Sequence, residues 1–135
     1  MAALLLDLSA AYDLLNHEIL VRKLAHYGFD SDSRKFEKSY LEDRNQIVQV
    51  ESKQSEPKEI GDTAVPRGSI LGGFFFVVFQ NDFPASSDEG EAILFVDDDT
   101  ENTSDCDPEV LANKVQNLAK SSTQWVRDNN MVCAG

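Results

Sequence analysis

Lysine and arginine are missing from about a third of this chain. Between Gly68 and Asn113 there are eleven Asp and Glu residues and no base at all, while the other 89 of the 135 residues hold 13 acids and 12 bases. The net charge of −12 therefore sits almost wholly in one block. Such a block repels bare phosphates and attracts cations, which argues against strong independent nucleic-acid binding. Cysteine is scarce too. Cys106 and Cys133 form no C-x-x-C pair, and His17 and His26 are not spaced near them for zinc, so no structural zinc site is expected. Reduced thiols and an intracellular location, cytoplasm or nucleus, are the expectation. Long apolar runs are absent: Phe74–Phe79 is too short to cross a bilayer, and no membrane association is expected. There is no internal repeat and no low-complexity linker. The N-terminus has no basic leader and only a short apolar run, unlike a signal peptide. A chain opening directly on a buried strand reads as a fragment whose upstream part is absent.

What is present fits one domain with a core. The 135 residues are 41% apolar, enough for a single globular unit and too few for two. Residues 2–8 read as a buried strand ending at Asp7. Asn16 is a good helix cap, and Leu20, Leu24 and Tyr27 share one face of a helix over 17–27, with Gly28 just past its end. A second helix is expected over 32–43 with Phe36, Tyr40 and Leu41 as its apolar face. Residues 46–50 and 58–60 read as the arms of a hairpin. By pattern alone Phe74–Phe79 fits a strand or a buried helix, and Ser69 as a cap with about 14 residues to Asp82 favours the buried helix. The segment 84–90 reads as loop, 91–96 as the central strand, and the residues after the aspartates as a short return strand. Asp107-Pro108 is a strong helix start, an acidic cap with proline in the first position, and Leu111, Val115, Leu118, Ser122 and Trp125 repeat at helical spacing to about 129. Met131-Val132-Cys133 reads as a possible further strand. This order predicts an α+β fold, an antiparallel sheet covered by helices on one face.

The stretch with most chemical content is Ile93-Leu94-Phe95-Val96-Asp97-Asp98-Asp99. An apolar strand runs straight into three carboxylates that repel one another. Either a hard divalent cation offsets that cost or the turn is simply solvated. Two further stretches bear on the choice: Leu5-Leu6-Asp7-Leu8-Ser9-Ala10-Ala11-Tyr12-Asp13, continuing to Asn16-His17, and Val65-Pro66-Arg67-Gly68-Ser69-Ile70-Leu71-Gly72. Taken in order with Phe95-Val96-Asp97-Asp98, they resemble three motifs of the palm of non-LTR retrotransposon reverse transcriptases: the "D-L-S-x-A-(F/Y)-D" strand, the "V-P-Q-G-S-x-L-G" loop and the "(F/Y)-x-D-D" hairpin. His26-Tyr27-Gly28, Lys38-Ser39-Tyr40-Leu41, Ser55-Glu56-Pro57 and Asn81-Asp82-Phe83-Pro84 are similar to the family's spacers, so the likeness spans nearly the whole chain.

The resemblance implies a single palm-like domain over 1–135, without fingers or thumb, from an RNA-directed DNA polymerase. It implies Asp7, Asp97 and Asp98 as catalytic, metal-binding carboxylates for Mg²⁺ (or Mn²⁺). It places Tyr12, Arg67, Gly68 and Ser69 at the nucleotide, and gives dNTP, RNA template and DNA primer as partners of the intact family. Two-metal nucleotidyl transfer needs carboxylates from separate strands converging on paired cations, which these positions supply if the strands are neighbours.

The sequence departs from the family at Arg67 for glutamine, Gly73 for proline, Ala10 for lysine, and Asp99 for a small hydroxyl residue. Asp99 is expected to add a third negative charge to the turn. With the basic fingers missing, the chain alone is expected not to polymerise, to hold nucleic acid weakly or not at all, and to self-associate through apolar surface around Phe74–Phe79. The alternative is a non-catalytic acidic domain, derived from a retroelement, that binds divalent cations or a protein. Asp13 reads as a turn or cap residue, Asn81 and Asp82 as a helix end with local hydrogen bonds, Trp125 as packing, and both histidines as helix residues with local partners.

Overall fold

A computed structural model describes residues 1–96 and 98–134. Strand β1 (Ala2–Asp7) opens the chain and is followed by a short helix α1 (Ala11–Leu14). Helices α2 (His17–His26) and α3 (Ser31–Leu41) come next. An extended hairpin carries β2 (Asn45–Gln46), β3 (Gln49–Val50), β4 (Lys53–Gln54) and β5 (Lys58–Glu59) as two nested ladders, β2 with β5 and β3 with β4. Helix α4 (Ile70–Gln80) leads through a 3₁₀ turn at Phe83–Ser86 to β6 (Glu91–Phe95) and β7 (Asp98–Thr103), and α5 (Pro108–Asp128) closes the order. The fold is α+β, with an antiparallel three-stranded sheet in the order β1-β7-β6.

The helices start where local chemistry provides a cap. Asn16, Asp30, Ser69 and Asp107 each accept a backbone N–H from the first turn of α2, α3, α4 and α5 respectively. Each bond satisfies an N–H that has no partner within its helix. Gly28, at φ +87, ends α2 in the left-handed region that glycine adopts without strain. Helix α4 supplies the centre of the core: Phe75, Phe76 and Phe79 are buried together with Leu15, Leu20, Leu24 and Leu41. Helix α5 contacts β1 and β7, and Leu118, Ser122, Trp125 and Val126 form its buried face. After α5 the chain returns to the sheet edge, where Ser9 N–H donates to Val132 O at 2.8 Å and Ala134 N–H to Asp7 O at 2.8 Å.

Several sequence expectations need correction. The central strand is β7, with β6 at the edge. The inward face of β7 is polar: Asp99 is 2% exposed, Glu101 3%, and Thr103 is buried with them. Asp99 is thus no third charge on the turn. It points to the opposite face, where Gln80 Nε2 donates to its two oxygens at 2.5 and 2.6 Å. In α3 the buried residues are Glu37 and Leu41, whereas Phe36 is 60% exposed. At the end of α4 the local bonds form, Asn81 N–H to Val78 O and Ala85 N–H to Asp82 O, but the Asp82 side chain bonds across the fold: Lys23 Nζ donates to it at 2.6 Å and Trp125 Nε1 at 2.9 Å. His17 likewise reaches a distant backbone oxygen, that of Ala64, at 2.7 Å. Asp13 lies inside α1, and the expected loop 84–90 begins as a 3₁₀ turn.

Candidate functional site

Strand geometry sends alternate side chains to opposite faces. In β1, Ala3, Leu5 and Asp7 are exposed while Ala2, Leu4 and Leu6 lean inward. In β7 the exposed register begins at Asp98. The two strands pair antiparallel with Asp7 opposite Asp98, so both carboxylates stand on the open face of the sheet, at the same end. Side chains so placed have Cβ atoms about 5 Å apart, and like charges in that relation destabilise a sheet. Sequence reading placed Asp98 second to Asp97, yet Asp98 is the residue whose backbone register answers Asp7. Asp97 lies outside the described residues. Among the described residues no group of three carboxylate, histidine or cysteine side chains stands ready to hold a metal ion.

The hairpin that carries Asp98 is tight. Phe95 pairs with Asp98 across its tip. Val96, beside the tip, has φ +61, a region that β-branched residues rarely enter, at a cost on the order of 1–3 kcal/mol. Around the acid pair the open face is apolar: Leu5 is 77% exposed and Phe95 75%. None of the three strands contains Lys or Arg.

Three residues beyond Asp7 the chain enters the wall of a cleft of about 610 Å³. Tyr12, Arg67, Gly68 and Ser69, which come from two distant stretches, all line it. Backbone bonds hold the two stretches together: Val65 N–H donates to Tyr12 O at 2.9 Å, and Ala64 N–H to Leu15 O at 3.1 Å. The Tyr12 ring stacks on Phe76 with centroids 4.9 Å apart and planes 18° apart, which fixes it against the core. Gly68 takes φ +79 where the loop turns toward Ser69. Ser69 Oγ then accepts Gly72 N–H at 2.9 Å to start α4. Arg67 reaches across the cleft mouth and donates from Nη2 to Asp13 Oδ2 at 2.6 Å. Sequence reading missed that pairing, because 54 residues separate the partners.

On the inward face of β7, three residues along the strand from Asp98, Glu101 packs against α5. Ser122 Oγ lies within hydrogen-bond reach of Glu101 Oε2 and, at 2.7 Å, of Leu118 O. A hydroxyl has one proton. Ser122 is the donor in both contacts and divides its proton between the Glu101 carboxyl and the Leu118 carbonyl. Burial pushes the Glu101 carboxyl above its ordinary value, and the Ser122 hydrogen bond opposes that shift.

No protein-family model matches the chain. Over 82 residues, 61% of its length, it is 35% identical to a Drosophila melanogaster protein described as "Probable RNA-directed DNA polymerase from transposon BS". It spans 9% of that relative's length. No helix among the described residues is long and apolar enough to cross a membrane.

Proposed function

We propose that this chain is the palm portion of an RNA-directed DNA polymerase, the part that presents carboxylates to divalent cations beside a nucleotide cleft. The observation that carries this reading is the cross-strand pair Asp7–Asp98 on the open face of the sheet. A fold gains nothing from two like charges in register on strands that carry no base, unless a cation joins them. Oxygen donors alone suit Mg²⁺ or Mn²⁺. The similarity to the transposon polymerase and the strained turn at Val96 point the same way.

In this reading Asp7 and Asp98, with Asp97, hold the cations. When bound, the metals lower the pKa of a primer hydroxyl and stabilise the pyrophosphate leaving group. Tyr12, braced by Phe76, forms the floor under the sugar, and Arg67, Gly68 and Ser69 border the nucleotide. The isolated chain does not polymerise, because the acidic block that carries the site repels template and primer phosphates. The intact polymerase takes dNTP, RNA template and DNA primer. A non-catalytic, cation-binding acidic domain would share the same pair, and nucleotide binding separates the two readings.

Calorimetric titration with Mg²⁺ tests the site. Asp7→Asn and Asp98→Asn should each remove the tight binding heat. In EDTA each should raise the unfolding free energy by about 0.2–1 kcal/mol, because the repulsion is relieved. A diffuse acidic surface predicts partial, similar losses for any Asp substitution, and that result would remove the proposal. Primer extension by the wild-type chain alone would contradict its inactivity in isolation.

A further inference from the structure

Arg67 is the one charged side chain among the described residues lining the cleft. Its guanidinium is occupied by Asp13, with the two side chains 65% and 56% exposed. Ion pairs this exposed contribute about 0–1 kcal/mol, so Asp13 holds Arg67 weakly. A phosphate offers the same guanidinium two parallel charge-assisted bonds, a better partner than one carboxylate oxygen. Backbone bonds from Val65 to Tyr12 and from Ala64 to Leu15 tie the two stretches together beside the ion pair.

We propose that Arg67 is an anion-exchange gate: Asp13 holds it in the unliganded chain, and it passes to the phosphates of a polyphosphate ligand entering the cleft. This rests on reading the cleft as a nucleotide site and adds which residue selects the charged tail and what it must release. The gate makes Asp13 a competitor for the ligand. Removing that carboxylate then strengthens binding, but only while Arg67 is present.

The test is calorimetric titration of the whole chain with inorganic tripolyphosphate in EDTA, and separately with dGTP in Mg²⁺. Four proteins are compared: wild type, Asp13→Asn, Arg67→Gln and the double variant. Both residues are exposed, and circular dichroism checks that all four fold. Asp13→Asn should tighten tripolyphosphate binding about fivefold, and Arg67→Gln should weaken it about tenfold. In the double variant the gain from Asp13→Asn should vanish, which marks direct coupling. A gain that persists without Arg67 means general charge reduction and overturns the gate. So does the absence of any gain, or of any binding by wild type and Asp13→Asn. If dGTP binds and neither substitution changes it, the nucleotide site stands and the gate falls. If tripolyphosphate follows the exchange pattern and dGTP binds no tighter, the gate stands and the nucleotide reading falls.

Discussion

Glu101 shows how a single side chain can set a pH dependence. It is buried on the central strand with Asp99 two residues before it on the same face. Burial raises its carboxyl pKa, and the hydrogen bond from Ser122 opposes that. A carboxyl whose folded pKa lies above its unfolded value contributes stability that is fully present below about pH 4.5 and is lost as pH rises through the folded pKa. Burial raises Glu37 in the same sense, opposed by Arg34, and its Oε2 makes no hydrogen bond among the described residues. Both groups therefore cost stability at neutral pH. Glu101→Gln keeps an acceptor for Ser122 and cannot ionise. It should raise the unfolding free energy at pH 7 by on the order of 1 kcal/mol and flatten its decline between pH 4.5 and 7. Urea unfolding at several pH values measures both. A variant less stable than wild type at pH 7 would mean that the carboxylate is ionised and needed there.

Among the elements, three helices meet at one ammonium. Lys23 of α2 donates to Phe79 O at 2.6 Å and to Asp82 at 2.6 Å, and its Nζ lies 4.6 Å from the Phe79 ring centre and 4.8 Å from that of Trp125. Trp125 of α5 donates to the same Asp82 oxygen. Burial pulls the Lys23 pKa down, and the Asp82 hydrogen bond and charge oppose that. Lys23→Met keeps the apolar stem and strands the acceptors, so it should cost about 2 kcal/mol of unfolding free energy. A cost near zero would show that packing alone holds α2, α4 and α5 together. This node also marks the limit of sequence reading. Caps and apolar spacing showed α2, α4 and α5 because those signals are local. The pin joins residues 56 and 59 positions apart, and no local pattern carries it. The central place of β7 escapes local pattern for a related reason. Periodicity assigns the centre of a sheet to apolar residues, and β7 faces inward with Asp99, Glu101 and Thr103. Its burial depends on Gln80 and Ser122, which sit on two other elements. Phe36 outside and Glu37 inside repeat the lesson in α3. The candidate site was legible to the extent that its motifs gave Asp7, Asp98, Tyr12 and Arg67. The register that puts Asp98 opposite Asp7 required the strand order.

For the whole molecule the deciding quantity is charge. A net −12 on 135 residues makes the folded state repel itself. The opposing attraction is small. The ion pairs of the described residues include Lys35–Asp32, Lys38–Glu42 and Arg67–Asp13, all mostly exposed, and such pairs contribute little. Among the described residues Lys23–Asp82 and Lys114–Asp105 are the more buried ion pairs, and salt screens them least. Screening should therefore weaken repulsion more than attraction. Raising NaCl from 0.02 to 0.5 M should stabilise the chain by about 1 kcal/mol, seen as an increase in Tm of roughly 4 °C. A few millimolar Mg²⁺ at constant ionic strength should add a further increase in wild type that Asp98→Asn lacks, since that part is binding rather than screening. A Tm that falls with NaCl would show that surface ion pairs outweigh the acidic block. In that case the absence of bases between Gly68 and Asn113 would say little about what the open face of the sheet attracts.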